Sequence, residues 1–162
     1  MTKTSIRMKL LKGWALLVGL LALAQPLHAH ERSLSTTTVD SLKLQQPFKG
    51  HFYCPETKVH LYLDLYEESI EVPGFSFLGK MQGYMEGGIY GTWMLIKHKI
   101  RADQRKVLLR FSNDIGSDSQ NIEFTQINDS TFTYQAVEGN AIKKAVGRKL
   151  VKVTDQMKFI RQ

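Results

Sequence analysis

The sequence predicts an all-β fold, a single antiparallel up-and-down barrel of eight or nine strands, with a sandwich as the second choice. Three observations lead there. Apolar residues recur with a period of two through most of the chain after residue 48. Turn-forming residues break these runs at spacings of about 8 to 13 residues. No stretch in that region carries a helical stripe over the roughly 12 residues that a stable helix needs. At 162 residues, 43% of them hydrophobic, the chain suits one globular domain. It is too short for a (β/α)8 barrel or a two-domain enzyme.

The first segment is not part of that domain. Residues 1–29 hold Lys3, Arg7, Lys9 and Lys12 and no acid, then an apolar run from Trp14 to Ala24, then Gln25-Pro26-Leu27-His28-Ala29. A basic start, a short apolar run and a small residue after a helix-breaking proline predict a secretory signal peptide cleaved after Ala29. The run falls short of the roughly 20 residues of a membrane-spanning helix. The expected location is periplasmic or secreted. Removing the four cations takes the formal charge from +7 to +3, so the basicity is no argument for a nucleic-acid partner. Residues 30–47, rich in Ser, Thr and Gln around Ser35-Thr36-Thr37-Thr38, read as a flexible leader. The barrel domain is expected over 48–162.

Within it the strands follow in order. Gly50 to Tyr53 opens the first. Val59, Leu61, Leu63 and Leu65 alternate with His60, Tyr62, Asp64 and Tyr66. Ser69 to Val72 ends at Pro73-Gly74, and Glu86-Gly87-Gly88 precedes a strand from Ile89 to Ile100. Val107, Leu109 and Phe111, then Ile122 and Phe124, then Phe132 and Tyr134 each mark a half-buried strand. Leu150 to Val153 and Met157 to Ile160 complete the set. Ala102-Asp103-Gln104, Asn113 to Ser119, Asn128-Asp129-Ser130 and Glu138-Gly139-Asn140 supply the turns between them. Closing the sheet removes its edges, which suits a monomer. Cys54 is the single cysteine, so no disulfide forms within the chain, and it is expected as a small buried hydrophobe in a strand.

Gly50-His51-Phe52-Tyr53 resembles the G-x-W-Y start of lipocalins and avidins, with Phe in place of Trp. That resemblance implies a calycin-like barrel, in which the first-strand aromatic packs near the closed end beneath an arginine from the last strand. Arg148 and Arg161 are the candidates for it. Gly91-Thr92-Trp93 repeats the same letters mid-chain. Phe52-Tyr53-Cys54 followed by Val59-His60-Leu61 also resembles the opening of periplasmic C-type lysozyme inhibitors, another group of small antiparallel barrels.

No constellation converges on catalysis. After processing, His30 becomes the first residue, where amine and ring together can bind copper, but it leads a flexible segment. His51, His60 and His98 stand singly in separate strands and read as exposed or hydrogen-bonded. No H-x-x-H, H-E-x-x-H or C-x-x-C is present. Asn113 to Asp118 surrounds a glycine with oxygen ligands, yet it lacks the later glutamate and flanking helices of a calcium loop and reads as a turn. No metal or cofactor is therefore expected.

The stretch Pro73 to Gly91 interleaves six glycines with aromatic and methionine side chains. From it and its flank come the candidate binding residues Phe75, Phe77, Met81, Tyr84, Tyr90 and Trp93, as the mouth of a ligand cavity or a protein-docking surface. The expected partner is a small apolar ligand or another protein. Towards the C-terminus Lys143, Lys144, Arg148, Lys149, Lys152, Lys158 and Arg161 face one acid, Asp155. Alternation is expected to put Lys144, Arg148 and Lys152 on one side, as a solvated face or a patch for an anionic glycan or lipid headgroup.

Together these features predict an exported, non-catalytic binding protein. The alternatives are a small-barrel enzyme using His51, His60 or His98 with a carboxylate in the cavity, and a periplasmic inhibitor of a cell-wall hydrolase. A filled, dry interior would disfavour a cavity of either kind and leave a protein-docking or structural role.

Overall fold

The computed structural model describes residues 46–103 and 105–162. The expected signal peptide and the leader up to residue 45 lie outside the described residues. Twelve strands follow in order: β1 (Lys49–Cys54), β2 (Val59–Asp64), β3 (Ile70–Glu71), β4 (Lys80–Met81), β5 (Gly83–Gly87), β6 (Trp93–Ile100), β7 (Lys106–Asn113), β8 (Ser119–Gln126), β9 (Thr131–Gly139), β10 (Lys143–Val146), β11 (Lys149–Lys152) and β12 (Gln156–Arg161). Eight of them form a closed barrel in the order β1-β12-β9-β8-β7-β6-β5-β2. Every neighbour pair is antiparallel. The all-β barrel predicted from the period of two is the fold observed, an up-and-down meander closed by its first and last strands. Two hairpins interrupt it, β3–β4 between β2 and β5, and β10–β11 between β9 and β12.

The period of two decides what points inward. Phe52 and Cys54, Val59, Leu61 and Leu63, Val107, Leu109 and Phe111, Ile122 and Phe124, Phe132 and Tyr134, Met157 and Phe159 are all buried. Their phenyl rings fill the lumen. Phe52 meets Phe132 edge-on at 4.7 Å and Phe124 at 5.3 Å. Phe124 stacks on Phe132 at 5.2 Å and meets Phe159 at 5.8 Å. Such rings carry large apolar area and an added edge-to-face attraction. Gln120, a buried amide, accepts a hydrogen bond from the Tyr134 hydroxyl, and burial pushes that phenol's pKa up. Cys54 is a free, buried thiol, as the lone-cysteine argument expected.

One end is sealed by Phe48 and by Arg161. The Arg161 guanidinium lies 5.3 Å from the Phe52 ring centroid and 5.1 Å from that of Phe132, and an Nη donates to the Pro47 carbonyl. Of the two candidate arginines, Arg161 meets the first-strand aromatic. Arg148 lies in the exposed turn joining β10 and β11. Trp93, Ile89, Ile142 and Val153 fill the other end.

Two local expectations need correction. The glycine-rich stretch contains β5, a wall strand the sequence reading missed, and β6 begins at Trp93 rather than Ile89. Gly83 is needed for closeness: a Cβ there would stand 2.6 Å from the Tyr62 carbonyl oxygen. Gly88 lies under the β1–β2 turn, where a Cβ would come within 1.7 Å of the Thr57 carbonyl oxygen. The second correction concerns the cations. β10 and β11 pair Lys143 with Lys152 and Lys144 with Val151. Lys144 and Lys152 therefore lie on opposite faces of a hairpin, with Arg148 in its turn.

Candidate functional site

With β1, β2 and β5 paired, the residues alternating with the core form a row on the barrel's outside. β1 pairs His51 with Tyr62 and Tyr53 with His60, and β2 pairs Tyr62 with Tyr84 and His60 with Glu86. Directly opposed side chains on one sheet face touch. The rings accordingly lie almost parallel: His51 on Tyr62 at 4.4 Å and 6°, and Tyr62 on Tyr84 at 4.7 Å and 17°. Tyr53 and His60 stand 4.6 Å apart. His51 Nε2 and His60 Nδ1 are 2.9 Å apart, so one ring's N–H donates to the other's lone pair.

The β3–β4 hairpin folds against the end of this row. Val72, Tyr84 and Met94 form a small buried cluster outside the barrel, with Tyr62, Ile70, Phe75 and Met81 packed on it. Phe75 meets Phe77 at 6.1 Å, and Phe77 is 79% exposed. Thus Phe75, Phe77, Met81 and Tyr84 come together on one surface. Tyr90 and Trp93 do not join them. Trp93 is buried in the main core and its Nε1 donates to the Tyr90 carbonyl. Tyr90 is exposed at the opposite barrel end, where its N–H donates to the Lys143 carbonyl. His51, Tyr53, His60 and Tyr62 were not singled out for binding. Their alternation with core residues was legible, but the register that lines them up was not.

An open depression of about 400 Å³ lies over the β9–β12 seam, lined by Thr133, Tyr134, Gln135, Gln156, Met157 and Lys158, none of them a candidate binding residue. Among the described residues no three of His, Cys, Asp and Glu stand close enough to share a metal ion. No described helix is long and apolar enough to cross a membrane.

The ring row has its own electrostatics. Burial, then the Glu86 carboxylate and Tyr62, push the Tyr84 hydroxyl up to about 12, so Tyr84 stays a neutral donor. Desolvation, then the neighbouring His60, lower the His51 pKa from 6.5. A lowered folded-state pKa makes the unfolded chain bind protons first. The contribution of a neutral His51 is thus intact above pH 6.5 and lost as pH falls through its lowered value. We expect the His51 ring resonance to titrate below that of a free histidine. It should move back up in His60→Ala as the second ring's repulsion is removed. Nuclear magnetic resonance of the imidazole carbons reads both, and an unmoved His51 titration would contradict the coupling.

No protein-family model, no curated protein and no solved structure matches this chain significantly.

Proposed function

We propose that this chain is an exported, non-catalytic binding protein that docks a partner protein on the outer face of β1, β2 and β5, extended by the β3–β4 hairpin. The observation that carries this is the contrast between inside and outside. The lumen is filled by phenylalanine rings, which argues against a carried ligand. The outer wall bears a continuous row of aromatic and imidazole rings ending at the exposed Phe77. Rings that hold one another in place lose little side-chain freedom on contact, which favours docking. The basic, apolar N-terminal segment supports export. Gly50-His51-Phe52-Tyr53 and the placement of Arg161 over Phe52 support a calycin-like lineage. The small-barrel enzyme reading calls for a histidine converging on a carboxylate. Glu86 stands opposite His60 in the register, but among the described residues the His60 ring bonds to His51 and not to that carboxylate.

A photo-cross-linking residue placed at Tyr53 or Phe77 in the native host should trap one discrete protein. The same residue at Arg110, exposed on β7 across the barrel, should trap none. Identical adducts from all three positions, or none from any, would remove the docking face. A stoichiometric small ligand retained in native mass spectrometry would return the function to the lumen.

A further inference from the structure

A different part of the molecule has no place in that docking face. The β10–β11 hairpin stands off the end of the barrel away from Arg161. Its root is fixed: Ile142 and Val153 are buried, the Val153 N–H donates to the Ile142 carbonyl at 2.8 Å, and the Tyr90 N–H donates to the Lys143 carbonyl at 2.7 Å. Beyond the root every residue from Lys143 to Lys152 is exposed. A lone two-stranded hairpin gains little from its own contacts in water, so a rigid root under a bare blade is unexplained by folding.

The composition of the blade is specific. Lys143, Lys144, Arg148, Lys149 and Lys152 are its cations, and no acid occurs between Glu138 and Asp155. Those two are already engaged, Glu138 by Asn121 at 3.1 Å and Asp155 by Lys152 at 2.6 Å. Among the described residues the other four cations have no carboxylate within ion-pair distance. Between them stand Val146, Leu150 and Val151, 53%, 48% and 43% exposed. The register gives the two faces the same make-up: Lys143, Ala145, Leu150 and Lys152 on one, Lys144, Val146, Lys149 and Val151 on the other.

We propose that this hairpin docks the protein on an anionic phospholipid surface by entering the headgroup layer tip first. The charge complementarity is direct, and juxtaposed lysines and arginines are drawn to negatively charged lipid. The symmetry of the blade chooses among anionic partners. A protein partner would cover one face and leave the other bare. A soluble polyanion offers nothing to Val146, Leu150 and Val151. A headgroup layer surrounds the blade, takes the apolar side chains from water on both faces and lets the lysine stems reach up to phosphate. Four residues per strand span about 13 Å, comparable with the ~5–10 Å to which interfacial elements sink. Tyr90, exposed beside the root, lies where an interfacial aromatic ring is favoured. No spanning segment is involved.

Vesicle flotation of the protein tests this. The protein should float with vesicles of phosphatidylcholine containing one quarter phosphatidylglycerol and stay behind with phosphatidylcholine alone. Raised salt should weaken binding without abolishing it. Lys144→Ala/Arg148→Ala/Lys149→Ala should reduce partitioning ~100-fold. Val146→Ser/Leu150→Ser/Val151→Ser should reduce it at least ~10-fold and remove the salt-resistant part. All six side chains are exposed, and circular dichroism confirms that the fold survives. Equal binding to neutral vesicles, no binding to either, or a charge variant that binds undiminished would overturn the proposal. So would binding to soluble polyphosphate as tight as to the anionic vesicles and unaffected by the serine changes. Cross-linking from Tyr53 and Phe77 is independent of every one of these outcomes.

Discussion

Phe52→Ala should lower the unfolding free energy by about 3–5 kcal/mol, the usual cost of removing a fully buried phenylalanine. The cavity it opens cannot close easily. Phe52 is held between the Phe124 and Phe132 rings, 5.3 and 4.7 Å away, in a wall whose strands are fixed by hydrogen bonds on both sides. The same change takes from Arg161 one of the two rings beneath its guanidinium, leaving a half-buried cation with less to lie against. Domains of this size are stable by about 5–15 kcal/mol, so the variant should melt tens of degrees lower or fail to accumulate. Phe77→Ala, the same chemical change on an exposed ring, should stay within about 0.5 kcal/mol. Chemical denaturation of the two variants side by side measures this. A loss below about 1.5 kcal/mol for Phe52 would mean that the lumen is far looser than described.

Asp64→Ala should cost about 2–3 kcal/mol and should also change how the protein responds to acid. Asp64 is 2% exposed at the end of β2. Its carboxylate accepts from Ser69 Oγ at 2.6 Å and from the N–H groups of Tyr66 and Glu67 at 3.3 and 3.2 Å, and Lys49 Nζ lies 2.9 Å away. Removing one acceptor strands several donors, which costs more than any single hydrogen bond is worth. Burial alone would raise this carboxyl's pKa, but the hydrogen bonds from Ser69, Lys49 and Tyr66 outweigh it and hold the group below its ordinary 3.8. The stability it supplies is present above that value and is lost as pH falls through the lowered one. Asp64→Asn should therefore flatten the acid limb of the stability curve below about pH 4, with little change in the limb just below pH 6.5 that belongs to His51. An unchanged acid limb would deny Asp64 this role.

The architecture was legible because alternation is a local signal. Val59 to Leu65 and Val107 to Phe111 show their inward set without knowledge of their neighbours. β5 was hidden for the opposite reason. Gly83 and Gly87 carry no side chain to alternate, and their absence of Cβ serves the tight approach to Tyr62 and Lys58, a contact distant in sequence. β10 was hidden because neither of its faces is buried, so hydrophobic pattern has nothing to mark. The candidate site was half visible. Phe75, Phe77, Met81 and Tyr84 were found by composition and do meet, while Trp93 satisfied the same composition and lies in the core. His51 and His60 were read singly because only the β1–β2 register brings their rings within 2.9 Å.

The seam between β1 and β12 has a consequence for timing. Phe52 pairs with Arg161 and Tyr53 with Ile160, residues more than a hundred positions apart, so the first wall strand keeps an open edge until the last one has been synthesised. Non-local pairing of this kind makes for slow folding, on the order of milliseconds to seconds, and for a transition that completes all at once. Until β12 has paired with it, that edge of β1 is also open to pairing with a strand of another chain.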